Sequence, residues 1–335
     1  MRQEMEDSMT KDRNKKDTYV VSTNGDGDFA SISEALSYVD NNHEAEEHLT
    51  IYIKNGLYKE KIMVLRGNLT FVGESKTGTI LSYGDYAKML LPDGSPYRTF
   101  NTYTMLIAGN QITIKNLTIE NTAGLGKDVG QAVALYVEGS KVKVEDVCLL
   151  GNQDTLFTGP LPHKPIEGKD FGGPMEGKER VVGKQYYKNC YIEGDIDFIF
   201  GSAVAVFEGC ELFSKNLNQE INGYVTAAST YEGQEYGYVF IDCRFTSDAK
   251  EESVYLGRPW RNYAKTVLIR CELGNHIKRE GWHDWNKEAA RETMYYAEFE
   301  STGPGADDKS RVEWAHILTS EEAKKYTVHG VLGEF

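Results

Sequence analysis

Apolar and polar residues alternate in a short phrase that recurs along the chain. One position of the phrase holds a cysteine or another apolar side chain, at Leu117, Val147, Cys190, Cys210, Cys243 and Cys271. The position two residues later is also apolar, at Ile119, Leu149, Ile192, Leu212, Phe245 and Leu273. The residues between are mostly polar, and alternation with a period of two predicts strands that turn one face inward.

The spacing of the repeats predicts a solenoid. Successive repeat positions are 30, 43, 20, 33 and 28 residues apart, as expected for short strands joined by loops of variable length. Equivalent residues of parallel coils stack into ladders, so the four repeat cysteines are interpreted as a buried ladder of free thiols. Metal ligation or redox pairing is the alternative, but the five cysteines are an odd number and no CxxC occurs.

Two capping boxes predict short helices that close the ends of the solenoid. Ser31 and Glu34 precede a helix over about 31–41, whose apolar positions are Ile32, Ala35, Leu36 and Val39. Thr319 and Glu322 precede a second short helix within 320–326.

The chain is predicted to form one domain over 18–335, preceded by a flexible tail over 1–17. The tail balances five basic against five acidic residues and offers almost nothing to bury. Two long loops stand out, at 84–103 and at 161–183, and the second is a Pro/Gly-rich excursion that interrupts the repeat.

Composition and charge exclude several classes of protein. No apolar run approaches 18 residues, which argues against a membrane-spanning helix. The net charge is −14 and basic residues form no run, so no nucleic-acid partner is expected. The N-terminus has no apolar signal core and the thiols are predicted free, which favours a cytoplasmic protein; a secreted protein without its leader is the alternative.

The candidate chemistry rests on carboxylates, because no Walker loop, HExxH or GxSxG motif occurs. Asp154 and Asp197 each lie seven residues after a repeat position. Without the 161–183 excursion, their coils become neighbours, about 4.8 Å apart. Two carboxyls so close require a proton or a cation between them. The alternative is that both aspartates only form turns.

Several motifs resemble the pectin methylesterase (pectinesterase) family of carboxylic ester hydrolases. They occur in the family's order as GLYKE (56–60), QAVALY (131–136), GNQDTLF (151–157), DFIFG (197–201) and LGRPW (256–260), with a C-terminal segment at 281–306. The resemblance implies an all-β fold, a right-handed single-stranded parallel β-helix. This chain departs from the family pattern at Asn152 and Tyr136, and its 161–183 excursion is longer than in plant members.

The resemblance also implies roles for individual residues. Asp197 would be the nucleophile and Asp154 the general acid and then base, with Gln131 and Gln153 stabilising an oxyanion and Arg258 paired with Asp197. Trp260 would line the sugar site. Further candidates for contacts with the sugar rings are Phe157, Phe200 and Trp282, with Thr104 and Met294 as weaker ones.

The implied substrate is a methyl-esterified galacturonan or oligogalacturonide, with no cofactor and no metal, and the protein is expected to act as a monomer. The acidic net charge predicts that highly methylated substrate is preferred over its polyanionic product. Two other functions stay open: a pectate lyase or polygalacturonase that cuts the sugar chain, and a carbohydrate-binding solenoid without catalysis.

Overall fold

The computed structural model describes residues 16–166 and 168–335, and over these residues the chain winds into three parallel sheets. Sheet I contains β1 (Thr18–Val21), β2 (Leu49–Ile53), β5 (Leu69–Gly73), β8 (Ile112–Lys115), β11 (Val142–Glu145), β14 (Lys184–Lys188), β17 (Val204–Glu208), β20 (Tyr238–Ile241), β23 (Lys265–Ile269), β25 (Tyr295–Phe299) and β26 (His316–Ile317). Sheet II contains β4 (Ile62–Val64), β7 (Met105–Ile107), β10 (Leu135–Val137), β13 (Leu156–Thr158), β16 (Ile196–Gly201), β19 (Gly223–Ala228) and β22 (Val254–Gly257). Sheet III contains β3 (Gly56–Tyr58), β6 (Thr79–Tyr83), β9 (Thr118–Asn121), β12 (Cys148–Leu150), β15 (Tyr191–Gly194), β18 (Glu211–Ser214), β21 (Arg244–Ser247) and β24 (Glu272–Leu273).

Short helices complete the fold. They are α1 (Ile32–Asn42), α2 (Gly126–Val129), α3 (Ser320–Ala323) and α4 (Val328–Leu332), with 3₁₀ turns at Thr99–Asn101 and Glu288–Glu292. Each sheet contributes one strand to a coil, and neighbouring strands of a sheet come from successive coils. The architecture is therefore the predicted parallel β-helix.

The predicted ladders are confirmed. In sheet III, Leu149 pairs with Ile119 and Ile192, and the register continues through Leu212, Phe245 and Leu273. The four repeat cysteines are free and buried. Each thiol contacts a backbone carbonyl oxygen of the preceding coil, as in the 3.3 Å contact between Cys190 Sγ and the Val144 oxygen. Burial raises the pKa of the Cys190 and Cys243 thiols, so they stay protonated.

Helix α1 begins where the sequence predicted. Ser31 Oγ accepts a hydrogen bond from the Glu34 amide at 3.1 Å. The Glu34 carboxylate in turn accepts a hydrogen bond from the Ser31 amide at 3.2 Å, which completes the capping box. Glu60 accepts from the Ile32 and Ser33 amides, which satisfies two more free N–H groups of the first turn. The apolar face of α1 joins the main core next to the first coils.

The C-terminal helices lie elsewhere than expected. Tyr326, Val331 and Leu332 pack against outward-facing residues of sheet I, among them Val206 and Val239. The segment therefore runs back along the side of the solenoid, because these outward positions are themselves apolar and need cover.

The predicted tail over 1–17 falls almost wholly outside the described residues and stays a prediction. In the described part of the chain, no helix is both long and apolar enough to span a membrane.

Candidate active site

The candidate catalytic residues lie along successive strands of sheet II. Gln131 precedes β10, Gln153 and Asp154 precede β13, Asp197 lies in β16, and Arg258 follows β22. Strands β10, β13, β16, β19 and β22 are consecutive neighbours in the sheet. Residues that are far apart in sequence are thereby brought into one row, parallel to the solenoid axis.

Asp154 and Asp197 occupy equivalent places on adjacent coils. Leu156 pairs with Ile199, so the residues two positions earlier, Asp154 and Asp197, are opposite each other. The Asp154 amide donates to the Ile196 carbonyl oxygen at 3.1 Å. Both aspartates have positive φ, 66° and 52°. Such a conformation is uncommon outside glycine and is found at functional sites.

A β-bulge turns Asp197 toward the cleft. Between β16 and β19 the register shifts, so that Ile196 pairs with Tyr224 but Ile199 pairs with Thr226. Phe198 and Ile199 both face the core although they are adjacent in sequence, whereas Asp197 lines an open cleft. The extra residue of the bulge thus re-aims the carboxylate out of the sheet.

Arg258 holds Asp197 through two hydrogen bonds. Its Nε donates to Oδ1 at 2.8 Å and its Nη2 donates to Oδ2 at 2.7 Å. The guanidinium is sandwiched between aromatic rings, 3.8 Å from the centroid of Tyr224 and 3.6 Å from that of Trp285. Planar rings on both faces fix the orientation of the guanidinium for two-point contact with the carboxylate.

The two carboxyls have different electrostatic surroundings. Burial raises the pKa of Asp154 well above its usual range, and the nearby charge of Asp197 raises it further. Burial also raises the pKa of Asp197, but Arg258 opposes that rise with its charge and its hydrogen bonds. The arrangement favours a proton on Asp154 and a negative charge on Asp197.

The two glutamines lie on adjacent coils beside the carboxyls. The Ala132 amide, next to Gln131, donates to the Gln153 carbonyl oxygen at 3.2 Å, and both side chains line the cleft. Within the described residues, no protein hydrogen bond engages either side-chain amide. Each NH₂ group is thus free to donate to a bound group next to the aspartates.

The cleft has a volume of about 730 Å³, within the range of small-ligand sites. Two of the candidates for contacts with sugar rings, Trp260 and Phe200, line it, with ring centroids 5.7 Å apart. Phe100 and Phe171 complete the aromatic wall, with Phe171 centred 6.1 Å from Trp260.

Four predicted sugar-contacting residues do not reach the cleft surface. Phe157 is fully buried beneath Phe100 and Tyr136, and Thr104 is buried with its hydroxyl donating to the Glu120 carbonyl oxygen at 2.8 Å. Met294 belongs to the main core. The prediction of direct contact with a sugar is corrected for these three, because loops or coils cover them.

Trp282 is the fourth correction. It is 1% exposed, stacks on Tyr296 with centroids 4.4 Å apart, and donates from its indole to Glu298 at 3.2 Å. Glu298 also forms a buried ion pair with Arg311. Trp282 therefore anchors the C-terminal coil, and the tryptophan of this segment that lines the cleft is Trp285.

The departures from the family pattern also lie away from the cleft lining. Asn152 and Tyr136 are both buried, and Tyr136 lies in the aromatic cluster under the cleft. Their effect on a substrate would be indirect.

Charge in the cleft is opposite to that of the whole chain. Among the described residues, five basic side chains line it against three acidic ones: Lys88, Arg98, Arg258, Arg261 and Lys287 against Asp154, Asp170 and Asp197. The sequence analysis missed four of these cations, because nothing in their spacing marks them as neighbours. Separately, the described residues contain no cluster of three or more His, Cys, Asp or Glu arranged to hold a metal ion.

The 161–183 excursion forms a wall of the cleft. Asp170 accepts from Arg98 at 2.5 Å, which ties the excursion to loop 84–103. At its other end, the Lys164 carbonyl oxygen accepts from Arg261 at 2.9 Å. Pro165, Ile166, Asp170 and Phe171 of the excursion line the cleft.

Comparisons with known proteins agree on one family. The sequence profile described as pectinesterase matches residues 18–161 and 180–334, which leaves 162–179 outside the match. The chain is 32% identical over 321 residues to pectinesterase/pectinesterase inhibitor 18 of Arabidopsis thaliana, covering 92% of this chain and 52% of that protein. The chain thus spans about half the length of the curated relatives it matches.

Solved structures give the same picture. The pectin methylesterase from carrot superposes with a TM-score of 0.79 at 30% identity, covering 94% of this chain and 92% of the other. A pectin methylesterase in complex with a hexasaccharide superposes with a TM-score of 0.76 at 30% identity, covering 95% and 97%.

Proposed function

This chain belongs to the pectinesterase family, and we propose that it hydrolyses the C6 methyl esters of galacturonan or its oligomers to methanol and free carboxylate. The observation that carries the proposal is the pair Asp154 and Asp197 on adjacent coils, of which only Asp197 is paired with a partly buried arginine. A hexasaccharide-bound relative supports a sugar chain as the occupant of the cleft.

In the proposed first step, the ionised carboxylate of Asp197 attacks the C6 carbonyl carbon. The carbonyl oxygen becomes an oxyanion, which the side-chain amides of Gln131 and Gln153 stabilise by about 3 kcal/mol per well-placed donor. Asp154 transfers its proton to the methoxy oxygen, and the C6–O bond breaks to release methanol. The product is an acyl-enzyme, an anhydride between Asp197 and the sugar carboxyl.

In the proposed second step, Asp154 is ionised and accepts a proton from water. The resulting hydroxide attacks the acyl carbon, and the bond to Asp197 breaks. The galacturonyl carboxyl is released and gives the second proton of the water to solvent, Asp197 regains its charge beside Arg258, and Asp154 keeps the proton that it took from the water. One water molecule is consumed and one methanol formed for each ester.

Substitution of the nucleophile tests this assignment. In Asp197→Asn, the amide keeps the shape but is a very poor nucleophile, so methanol release is expected to fall by more than about a thousandfold. Asp242 offers a matched control, because it has a φ of 52° and the same two-point contact with an arginine, Arg270, at 2.8 and 2.8 Å outside the cleft. Asp242→Asn is expected to keep near wild-type activity. Retention of more than a tenth of kcat by Asp197→Asn would contradict the assignment.

The acid role of Asp154 is tested with the leaving group. Asp154→Asn should release methanol very slowly, but an aryl ester, whose leaving group needs no proton, should release its phenol at a partly restored rate in the first turnover. Later turnovers stay slow on both esters, because Asp154 also acts as the base in the second step. An equal loss of the first-turnover rate on both esters would argue against proton donation by Asp154.

The two other functions considered for this fold predict different products. A lyase or polygalacturonase would create unsaturated or reducing chain ends, and a carbohydrate-binding solenoid would bind oligomers without releasing methanol. Measuring methanol and chain ends in the same reaction separates the three.

A further inference from the structure

One buried carboxyl close to the row of candidate catalytic residues has no part in the proposed reaction steps. Asp195 lies between β15 and β16, two residues before Asp197, and is only 1% exposed. Its Oδ1 accepts from the Ile196 amide at 2.6 Å. Within the residues that the structure describes, its Oδ2 has no hydrogen-bond partner. A buried polar atom without a partner is rare in folded proteins and calls for an explanation.

The register places Asp195 close to Asp154, the proposed acid. The Asp195 amide donates to the Asn152 carbonyl oxygen at 3.1 Å, and the Asp154 amide donates to the Ile196 carbonyl oxygen at 3.1 Å. Because Asp154 lies opposite Asp197, Asp154 and Asp195 are offset by two positions on adjacent coils. The spacing of strands and the rise per residue put two such residues about 8 Å apart.

The following coil packs closely against the turn that carries Asp195. The Tyr224 amide of β19 donates to the Asp195 carbonyl oxygen at 3.2 Å. A Cβ on Gly223 would lie only 2.0 Å from the same oxygen. The Tyr224 ring itself lies against Arg258, 3.8 Å from the guanidinium. The turn is thus enclosed by protein on both sides, where charges interact more strongly than they do in water.

Two charged groups act on Asp195. Lys215, which follows β18, is the cation, but its Nζ donates to the Gly151 carbonyl oxygen at 3.1 Å and to Glu193 at 3.4 Å. Asp197 is the anion. Burial raises the pKa of Asp195 to about 6, although the charge of Lys215 opposes that rise. Asp195 therefore carries a negative charge at neutral pH and above.

This charge acts on Asp154. Burial and the nearby Asp197 raise the pKa of Asp154 most, Arg258 lowers it, and Asp195 raises it again. The charge of Asp197 is largely offset by the two hydrogen bonds from Arg258. Asp195 has no such two-point partner, so its charge reaches Asp154 with less opposition.

We propose that Asp195 is a positioning residue for the reaction, whose buried negative charge keeps the proton on Asp154 until the methoxy group leaves. The proposal rests on the proposed function, because Asp195 acts only through the acid step of Asp154. It accounts for the presence of an unpaired carboxyl two residues before the proposed nucleophile. The consequence is activity that extends to a higher pH than Asp197 alone would allow.

The test is the pH profile of Asp195→Asn. The amide keeps the shape of the carboxyl, and its oxygen can still accept from the Ile196 amide, but the charge is removed. An anion about 8 Å away, at an effective dielectric constant of about 20, raises a carboxyl pKa by about 1. The basic limb of kcat/KM reports the loss of the proton from Asp154, so it should lie about 1 lower on the pH scale. Below about pH 6, where Asp195 is itself mostly protonated, the two profiles should run parallel.

A second measurement does not depend on turnover. With ¹³C-labelled aspartate, NMR follows the titration of the Asp154 carboxyl, which is assigned by its absence in Asp154→Asn. The apparent pKa of Asp154 should fall by about 1 in Asp195→Asn. Asp195→Ser is smaller and also uncharged, and it should give the same displacement if the buried amide disturbs the turn.

Two controls separate this charge from others nearby. Glu193→Gln removes a carboxylate from the same coil, one that Lys215 contacts at 3.4 Å, and should move the basic limb by less than about 0.3 on the pH scale. Lys287 titrates in the same range, because burial lowers its pKa to about 8. The displacement caused by Asp195→Asn should therefore also appear when both proteins carry Lys287→Met.

An unchanged pKa of Asp154, or a loss of activity that is equal at every pH with the basic limb in place, would overturn the proposal and leave Asp195 a structural residue of the turn. An equal displacement in Glu193→Gln would overturn it as well, in favour of a diffuse field. If the wild-type protein releases no methanol while the titration of Asp154 still moves, the proposed function fails and the coupling of the two aspartates is supported.

Discussion

Removal of the arginine beside Asp197, the proposed nucleophile, should move the acid limb of the pH–rate profile. Burial raises the pKa of Asp197, and Arg258 is the strongest influence that lowers it. In Arg258→Met that influence is lost, so the pKa of Asp197 rises. Since the proposed mechanism requires the ionised carboxylate, activity should disappear at a higher pH than in the wild-type protein.

The size of the effect follows from the geometry. The two side chains are only 15% and 9% exposed, so water screens their contact weakly. An opposite charge at this distance lowers the pKa of a carboxyl by about 1–3, and each whole pKa step is worth about 1.4 kcal/mol. The acid limb of kcat/KM should therefore move up by about 1–3 on the pH scale. Below the limb, the activity of the variant relative to wild type should fall about tenfold for every whole pH step by which the limb has moved.

The assay is methanol release from a highly esterified substrate across the pH range. Arg258→Lys keeps the charge but loses the planar two-point contact, so a smaller movement of the limb is expected. Arg270→Met removes the same kind of contact from Asp242 on the surface and should leave the limb in place. Other carboxyls titrate in this range, since burial raises the pKa of Asp195 to about 6 and the pKa of Glu138 to about 7. The acid limb is therefore assigned to Asp197 from the difference between the variant and the wild-type profile.

A uniform loss of kcat in Arg258→Met at every pH, with the acid limb unmoved, would refute this reasoning. The arginine would then position the loop after β22 without controlling the ionisation of Asp197. The two aspartates titrate as a pair, so the quantity compared is the apparent pKa of the pair.

Three further predictions concern residues around this site and in the core. Trp285→Leu removes an aromatic face 3.6 Å from the guanidinium and should lower kcat/KM by about five- to thirtyfold, the equivalent of about 1–2 kcal/mol; an unchanged value would exclude the stacking role. Cys210→Leu should destabilise the fold by about 1–3 kcal/mol through overpacking, whereas Cys148→Leu, on the partly exposed face of its strand, should cost less than about 0.5 kcal/mol. Chemical denaturation measures the free energy of unfolding of both variants, and equal losses would contradict a buried ladder of thiols. Arg311→Met leaves the carboxylate of Glu298 buried without its partner and should cost about 3–5 kcal/mol of the free energy of unfolding, with Arg311→Lys costing less; a loss below about 1 kcal/mol would contradict the role of this pair as an anchor.

The sequence alone was sufficient to predict a solenoid of stacked coils and the register of six successive strands of sheet III. Period-two alternation specifies which face of a strand is buried, and a slip by one residue would turn every side chain to the wrong face. The positions of Cys190 and Asp154 relative to the repeat therefore determined their places on the coil. The capping box at Ser31 predicted the start of α1, because its hydrogen bonds join residues only three apart in the chain.

The resemblance suggested the candidate catalytic residues, but only the fold shows that they form a row and how that row is oriented. The bulge at Asp197 turns its carboxylate out of the sheet, and a bulge arises from pairing with β19, which lies more than 20 residues further along the chain. The sandwich of Arg258 between Tyr224 and Trp285 joins three segments that share no local pattern. The sequence analysis predicted Trp282 and not Trp285, yet Trp282 is buried in the core and Trp285 lines the cleft.

What the tertiary structure decided is the environment of side chains whose partners are distant in sequence. Net charge is a sum over the chain, whereas the field in the cleft depends on which charges the coils and loops bring together. Arg261, Lys287 and the Lys164 carbonyl oxygen come from three separate loops, and no spacing rule links them. Alternation, capping and repeat position are local and can be predicted from the chain, but burial, ionisation and the shape of a cleft belong to the assembled solenoid.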